Sequence, residues 1–436
     1  MKESQGERFM SDKRLRVLVI SELFPNPSYP AFGIFIERQT HHLRIYCDSI
    51  VVAPVRVFPH LRLWKYALNP GRFFAEWKRW RIDLTSIPQK SEVNGIPVYY
   101  PHYTSPPKQI FHGTWGFFAY LFLRRQLLAL HQQHSFDLIH AHYASPCGVI
   151  ALLAKRWMRV PVVLSIHGSD LTYTVRQNRL SATIIRWVFN KVDTIIANST
   201  WTKEQIVRYG GDPEKVQIIR YGGDPEKVQI VHLGGNPPEA IPPTNSPMAR
   251  DAIILLSVGY LEERKGHTFM LQAVKRLRNE GYDLRYVIVG DGSQRQSLQA
   301  MVETLGIADI VSFEGYKSHS EVWNYFSGCD IFALPSWNEA FGVVYIEALS
   351  QGKPVIGCEG EGGPEDLKAL GDCIELVKPQ NVESLVMALR RLIDDPERRR
   401  QMGEIGRRII AEHFTWQQNA ANTWAIYQRA LKAHHA

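Results

Sequence analysis

The sequence predicts two α/β domains, each built on a parallel β-sheet covered by helices on both faces. A chain of 436 residues is too long for one ordinary hydrophobic core, so two domains of similar size are expected. Short apolar β-rich runs alternate with longer amphipathic stretches in both halves, which is typical of doubly wound, Rossmann-like sheets. Five prolines fall within 237–247, a segment that favours neither helix nor strand.

The predicted strands divide evenly between the two halves. They are 16–20, 49–52, 138–141, 162–166 and 194–197, followed by 253–258, 286–289, 310–313, 331–334 and 354–357. We therefore expect a first domain at 14–236, a hinge linker at 237–247 and a second domain at 248–413. Because such sheets bind ligands beyond the carboxyl ends of their strands, two domains joined by a hinge should face a shared central cleft.

An internal duplication precedes the predicted hinge. The eleven residues RYGGDPEKVQI occur at 208–218 and again at 220–230. Two copies are too few for a repeat architecture. We expect one copy to form the strand before the hinge and the other to loop out or to pair irregularly at a sheet edge.

Cysteine content and hydropathy predict the compartment. The five cysteines are odd in number, scattered and without a C-x-x-C pair, which argues against a disulfide framework and a zinc site. The sequence has no run of about 18 apolar residues and no signal-peptide core near its start. We expect a cytoplasmic protein that does not span a membrane.

The net charge of +8 is concentrated in one aromatic-rich stretch. Residues 56–81 hold seven basic side chains against one acidic side chain, Glu76, with aromatic rings between them. This mixture suits peripheral contact with an anionic membrane, and the alternative is a surface subdomain whose rings pack inward. No base-stacking or groove-reading motif accompanies it, so a nucleic-acid partner is not expected.

Candidate binding residues follow two strands of the second half. Glu339 and Glu347 lie eight positions apart around Gly342, on a loop that enters a helix after the strand at 331–334. Glycine lets the backbone approach a ligand, and the N–H groups of a helix start can face an anion. After the strand at 253–258, the adjacent cations Arg264 and Lys265 suit a leaving diphosphate, although alone they could be ordinary surface charges.

Taken together, these motifs resemble the retaining glycosyltransferases of family 4, which have the two-domain GT-B fold. The resemblance covers most of the chain from Arg16 onward. It rests on Phe32-Gly33-Ile34-Phe35, His140-Ala141-His142, His167-Gly168-Ser169-Asp170, Gly259, Arg264-Lys265-Gly266, 289–292, 313–315, 330–336, Glu339 to Glu347 and 352–355.

The resemblance implies a role for each matched residue in the second domain, which would bind the nucleotide sugar. Glu347 would accept hydrogen bonds from the nucleotide ribose, and Glu339 would face the transferred sugar. Lys265 would neutralise the diphosphate, and Gly259 and Arg264 would also be donor-binding residues. Backbone N–H groups of the donor-binding residues Phe341, Gly342 and Val343 would hold sugar or phosphate oxygens.

In the first, acceptor-binding domain the resemblance implies that Gly33 approaches the donor and that His167 is catalytic beside the reacting carbon. From its place after a strand, His167 could also be a merely packed histidine. We expect His140 and His142 to point to opposite faces of the sheet and to be structural. Asp170 either orients His167 or caps the following helix. The resemblance also implies that 414–436 forms a helix returning to the first domain.

One position departs from the family pattern. Many members have arginine directly after the glycine at 259, whereas this chain has Tyr260. Tyrosine carries no fixed positive charge, so Arg264 would share the diphosphate contact or Lys265 would carry most of it.

The expected reaction is transfer of a hexose from a nucleoside-diphosphate sugar to an acceptor hydroxyl with retention at the anomeric carbon. The sequence contains no Asp-x-Asp triplet, so neither a metal nor another cofactor is expected. We expect a glycan or lipid-linked acceptor from cell-envelope polysaccharide or glycolipid biosynthesis, with the enzyme at the inner face of the plasma membrane. The alternatives are a nucleotide-sugar epimerase of the same architecture and a catalytically silent sugar-nucleotide-binding protein.

Overall fold

The computed structural model describes residues 14–29, 32–57, 69–106, 111–220 and 252–436, with the backbone alone at 79–85 and 319–320. The described chain forms two compact units. The first comprises the chain up to Asn198, then Thr202–Ile219 and Trp416–Ala436. The second comprises Ser199–Trp201 and Arg220–Thr415. The predicted hinge at 237–247, and with it the predicted boundaries at 236 and 248, lies outside the described residues.

The first unit is built on an eight-stranded sheet. Its strands lie in the order β10-β9-β8-β7-β1-β2-β5-β4, and all neighbouring pairs are parallel except β4 with β5. Strands β3 and β6 form a separate parallel pair. The strands are β1 Leu15–Ile20, β2 Cys47–Val52, β3 Val55–Arg56, β4 Lys90–Val93, β5 Ile96–Tyr99, β6 His102–Tyr103, β7 Leu138–His142, β8 Val162–Ile166, β9 Thr194–Ala197 and β10 Val216–Ile218.

Helices connect the successive strands of this unit. They are α1 Ile34–Leu43, α2 Pro70–Thr85, α3 Trp115–His134, α4 Val149–Met158, α5 Arg179–Lys191 and α6 Thr200–Arg208. The central strands β7 and β8 are buried along their whole length, as expected for strands covered on both faces.

The second unit has a six-stranded sheet that is parallel throughout, in the order β13-β12-β11-β14-β15-β16. Its strands are β11 Ile253–Val258, β12 Leu284–Val289, β13 Val311–Gly315, β14 Ile331–Ala333, β15 Val355–Cys358 and β16 Ile374–Val377. Its helices are α7 His267–Asn279, α8 Arg295–Leu305, α9 His319–Gly328, α10 Val343–Ser350, α11 Gly362–Leu370, α12 Val382–Asp394 and α13 Pro396–His413. One apolar core lies on each face of this sheet.

The predicted fold class is confirmed, because both units are α/β with parallel sheets. All ten predicted strands are present, with ends displaced by at most two residues. The β4–β5 hairpin was not predicted, although Asn94 and Gly95 both have positive φ there and Asn-Gly is a strong hairpin signal. Strand β16 and the short strands β3 and β6 were not predicted either, whereas β10 is the strand expected from one copy of the duplication.

The last helix, α14 Trp416–His435, belongs to the first unit and packs against α1. In the buried part of this contact, Gln39 donates hydrogen bonds to Asn419 (2.9 Å) and Thr423 (3.2 Å). Tyr427 reaches the sheet and shares a 2.6 Å hydrogen bond with His140. Helix α14 therefore contributes to the core of the first unit.

Two further predictions fall partly outside the described residues. The first copy of the duplication ends in β10, the edge strand beside β9, whereas the second copy is described only at Arg220. Within the basic aromatic stretch, 58–68 and the side chains of 79–85 are likewise not described, and 70–85 forms α2. Among the described helices, none is long and apolar enough to cross a membrane.

Candidate active site

In the second unit, glycine turns crowd together at the carboxyl ends of β11, β12 and β13. Gly259 donates to the Val289 carbonyl (3.0 Å), and Gly290 donates to the Gly315 carbonyl (2.8 Å). Gly290 has φ +136°, and a Cβ there would lie 1.9 Å from the Gly259 oxygen. Only glycine allows this backbone-to-backbone packing. The turns therefore form a rigid floor of main chain at the edge where parallel sheets bind ligands.

The loop after β11 delivers the two predicted cations in a short 3₁₀ turn, Glu263–Lys265. Gly266 ends the turn with φ +75°, and a Cβ there would meet the Pro335 carbonyl oxygen at 2.3 Å. The Arg264 carbonyl accepts a 2.9 Å hydrogen bond from the Trp337 N–H. The loop is thereby fastened to the segment after β14. This contact brings the two sequence-distant motifs together.

Lys265 and Glu339 form a close ion pair in which Lys265 Nζ lies 2.5 Å from Glu339 Oε2. The two side chains are only 10% and 13% exposed. Arg264 Nη1 is 3.5 Å from the same carboxylate oxygen and also pairs with Glu262. The predicted diphosphate-binding cation and the predicted sugar-facing carboxylate are therefore in direct contact.

Glu361, a carboxylate that the sequence analysis missed, holds the Glu339 loop in place. Glu361 accepts hydrogen bonds from the backbone N–H groups of Asn338 (3.0 Å) and Glu339 (2.6 Å). Burial raises the pKa of Glu361, while these two bonds act in the opposite direction. Asn338 has φ +56°, a left-handed conformation that the Glu361 clamp helps to hold. Glu361 thus positions Glu339.

The residues that follow Glu339 form the start of α10. Gly342 has φ +78° at the N-cap, and a Cβ there would be 3.3 Å from Glu339 Cγ. The Phe341 ring is buried and lies 6.0 Å from Phe414, so only its backbone is available to a ligand. Val343 is the first helical residue, and Glu347 follows it by about one turn on the same face. Helix-start N–H groups and two carboxylates therefore line one stretch of chain.

In the first unit, His167 lies directly after β8 among aromatic side chains. Its ring centroid is 4.9 Å from that of Phe35 and 4.8 Å from that of Tyr143. Phe35 stands at the start of α1, two residues after Gly33, whose φ is +69°. A Cβ on Gly33 would meet the Leu23 carbonyl oxygen at 2.3 Å. The fold thus brings the predicted residues Gly33 and His167 into one neighbourhood.

His167 is also coupled to His142 on the neighbouring strand β7. The rings stack with centroids 5.2 Å apart, and His142 Nδ1 shares a 3.0 Å hydrogen bond with His167 Nε2. Burial lowers the pKa of His167 to about 3, and the charge of His140 acts in the same direction. Both rings are therefore neutral near pH 7, and one donates to the other. His167 is held as an imidazole, not an imidazolium.

The expectation that His140 and His142 point to opposite faces is wrong. Side chains two positions apart in a strand lie on the same face, and these two ring centroids are 4.2 Å apart. His140 joins Tyr427 and Ser165 in the buried interior. His142 touches His167, so it is a positioning residue that the sequence analysis set aside.

Both expectations for Asp170 are also wrong. Its Oδ1 accepts from the backbone N–H groups of Ala144 (3.1 Å) and Ser145 (3.4 Å), so it braces the turn after β7 and neither orients His167 nor caps a helix. Its Oδ2 is buried and has no hydrogen-bond partner among the described atoms. Burial raises the pKa of Asp170 to about 7.

Three further sequence features are Tyr260, the cysteines and possible metal ligands. Tyr260 is 69% exposed and takes no part in the cluster of Arg264, Lys265 and Glu339, which we call the Lys265 cluster. All five cysteines are buried free thiols. In the part of the chain that the structure describes, no group of three or more His, Cys, Asp or Glu side chains is arranged to hold a metal ion.

Comparison with known proteins identifies the two halves separately. Residues 244–409 match the family Glycosyl transferases group 1, and residues 85–227 match Glycosyltransferase Family 4. The chain is 30% identical to the D-inositol 3-phosphate glycosyltransferase of Streptomyces bingchenggensis, over 70% of this chain and 69% of that protein. It is 34% identical to the MMP alpha-(1->4)-mannosyltransferase of Mycolicibacterium hassiacum, over 38% of this chain but only 40% of that protein.

Solved structures share the fold. The crystal structure of Anabaena HepE in complex with UDP superposes with a TM-score of 0.67 and 18% identity, covering 94% of this chain and all of that one. Such neighbours are GT-B glycosyltransferases. Both family matches, the Streptomyces relative and the two parallel-sheet units agree, and the chain belongs to the family 4 glycosyltransferases with the GT-B fold.

Proposed function

We propose that this glycosyltransferase moves a hexose from a nucleoside-diphosphate sugar to an acceptor hydroxyl, with retention of configuration and without a metal ion. The observation that supports this proposal most strongly is the contact between Lys265 and Glu339 beside the α10 helix start. A buried cation, a carboxylate and backbone N–H groups match a diphosphate joined to a sugar.

In the proposed reaction, the bond between the anomeric carbon and the diphosphate oxygen breaks, and its electron pair stays on the diphosphate. Lys265 and the helix-start N–H groups stabilise that growing negative charge. The acceptor oxygen forms the new bond from the same face of the sugar, and its proton passes to the departing phosphate oxygen. The protein then needs no strong base at the anomeric carbon.

Glu339 and His167 are proposed to stabilise the oxocarbenium-like sugar. Glu339 offers negative charge, and its contacts with Lys265 and the Glu361-held loop fix its position. His167 would act as a neutral hydrogen-bonding group, because its lowered pKa rules out a cationic ring near pH 7. A cation there would repel the developing positive charge. Glu347 is proposed to bind the ribose.

The acceptor is proposed to be a glycan or lipid-linked precursor of the cell envelope. The Streptomyces relative is named for transfer to inositol 3-phosphate, and the Mycolicibacterium relative for mannosyl transfer. The basic aromatic stretch 56–81 suits peripheral contact with an anionic membrane at the inner face of the plasma membrane. HepE was crystallised with UDP, so uridine nucleotides are the first donors to test.

A labelled-donor panel tests the proposal. The purified chain is incubated with UDP-, GDP- and ADP-linked hexoses labelled in the sugar, with and without a bacterial lipid extract and with EDTA. We expect nucleoside diphosphate release, label in the lipid fraction, and unchanged rates with EDTA. Formation of a sugar isomer would instead indicate an epimerase, and absence of any turnover would indicate a silent binding protein.

Lys265→Met and Lys368→Met are the matched pair of variants for this assay. Lys368 lies in the same unit and pairs with Asp372 at 2.6 Å, but its side chain is 39% exposed. We expect Lys265→Met to lower turnover by about 10²–10³-fold, the usual effect of losing one transition-state donor, and Lys368→Met to leave it unchanged. Equal rates in the two variants would remove Lys265 from the mechanism.

A further inference from the structure

The outer surface of the first unit carries an apolar face on helices α3 and α5. Several large apolar side chains there are exposed, although the inner sides of both helices are buried. We define the apolar face as Phe117 (38% exposed), Phe118 (38%), Leu121 (72%), Phe122 (55%) and Leu180 (52%). Residues 118, 121, 122 and 125 recur at helical spacing, so they share one side of α3.

Both helices are held firmly beneath this face. The opposite side of α3 is buried through Ala119, Leu123 and Leu127. The rings of Phe117 on α3 and Trp187 on α5 stack with centroids 6.0 Å apart. The apolar face is therefore not exposed because its helix is loosely placed, since the inner side of α3 is part of a packed core.

The charged side chains on the two helices that carry the apolar face have one sign. Helix α3 contains Arg124 and Arg125 and no acidic residue, and α5 contains Arg179, Arg186 and Lys191 and no acidic residue. Arg124, Arg125 and Arg179 are exposed. A chain that is 22% charged would normally intersperse carboxylates over two surface helices. Without carboxylates, the two helices carry only positive charge, which is complementary to a negatively charged partner.

We propose that the apolar face of α3 and α5 docks this enzyme on an anionic lipid bilayer. Phe118, Leu121 and Phe122 would enter the boundary between headgroups and acyl chains, to a depth of about 5–10 Å, while Arg124 and Arg125 meet lipid phosphates. A bilayer requires only exposed rings and cations, which is what the face supplies.

This surface is distinct from the basic aromatic stretch 56–81 and does not depend on the identity of the sugar acceptor. In the stretch 56–81, Phe74 on α2 is 63% exposed. The two surfaces are separated by variants, since a substitution on α2 changes neither α3 nor α5. Docking can also be measured without donor, acceptor or turnover, so a failed transferase assay would leave the docking result interpretable.

The test is co-flotation of the full-length chain with vesicles of phosphatidylcholine alone or mixed with phosphatidylglycerol. We expect binding to the anionic vesicles only, weakening as salt increases. The double variant Leu121→Glu/Phe122→Glu should lose binding at least tenfold, because two apolar groups are replaced by two charges that phosphatidylglycerol repels. Arg124→Ala/Arg125→Ala should lose about fivefold for each arginine.

Ile45→Glu is the matched control, since Ile45 is also in the first unit and is also 72% exposed. It should bind as the unchanged chain does. The proposal is overturned if the unchanged chain ignores anionic vesicles, or if Leu121→Glu/Phe122→Glu binds normally while Phe74→Glu does not. It is equally overturned if sedimentation shows a dimer that Leu121→Glu/Phe122→Glu dissociates, because the face would then bind a second copy.

Discussion

The Lys265–Glu339 pair gives the sharpest stability prediction. At 2.5 Å and an effective dielectric constant of about 20, the bare attraction is on the order of 6–7 kcal/mol, offset by desolvation of both groups. Removing one partner of a buried pair typically costs about 3–5 kcal/mol, because the other charge is left uncompensated. Arg264 decides where in that range each variant falls.

Lys265→Met should lie near the lower end, at about 3 kcal/mol, because Arg264 remains 3.5 Å from Glu339. Glu339→Gln should lie near the upper end, because it leaves Lys265 and Arg264 together without the carboxylate. The double variant Lys265→Met/Glu339→Gln should cost less than the sum of the two by at least about 1.5 kcal/mol.

Differential scanning calorimetry measures these effects. For a unit of this size about 3 kcal/mol corresponds to a fall in melting temperature of roughly 6–12 °C. Lys368→Met breaks an exposed i,i+4 pair of similar length and should cost less than about 0.5 kcal/mol. If Lys265→Met melts like Lys368→Met, or if the two single effects simply add, the pair is not a coupled structural unit and the reasoning is refuted.

Three further predictions concern the supporting groups. Glu361→Gln puts an amide N–H₂ against one of the two backbone N–H donors from which Glu361 accepts, so urea denaturation should show a loss of about 1–3 kcal/mol in stability. The same variant should lower turnover, because Glu361 positions Glu339. Unchanged stability and turnover would contradict this role of Glu361. Gly290→Ala should cost about 3 kcal/mol or more because its Cβ would strike the Gly259 oxygen, whereas Gly306→Ala, with φ +63° and open space, should cost only about 1–2 kcal/mol; equal melting temperatures would contradict the close packing. Asp170 has a folded pKa of about 7, above its unfolded value, so it holds a proton in the folded state that the unfolded chain has lost. The free energy of unfolding should therefore decrease as the pH rises from about 4 to about 7, by up to about 1.4 kcal/mol per pH unit. Asp170→Asn should remove this dependence on pH in denaturation curves.

The sequence was most informative where one physical rule dominates. Continuous apolar runs such as 162–166 and 253–258 have no plausible alternative to buried parallel strands, and both appear with unchanged ends. The β4–β5 hairpin could also have been predicted, because Asn94-Gly95 is a strong sequence signal for a hairpin turn. The error over His140 and His142 came from miscounting strand alternation, not from missing information.

What the sequence could not supply is contact between distant segments. Lys265 and Glu339 lie 74 positions apart, and only the folded chain shows that they are paired. Glu361 has no motif of its own, because its role is to accept two backbone N–H groups 22 and 23 positions earlier. The same holds for His142, whose partner His167 directly follows the adjacent strand β8. The predicted roles of the site residues remain predictions.

Titration calorimetry with UDP, GDP and ADP tests most directly whether the Lys265 cluster binds a nucleoside diphosphate. At a temperature where all variants are folded, we expect one of the three nucleotides to bind the unchanged chain and Lys368→Met with equal affinity. Lys265→Met should bind that nucleotide at least about tenfold more weakly, since each 1.4 kcal/mol of lost charge-assisted contact is a factor of ten. Equal binding by Lys265→Met and Lys368→Met, or no binding of any nucleoside diphosphate, would contradict the proposed donor site.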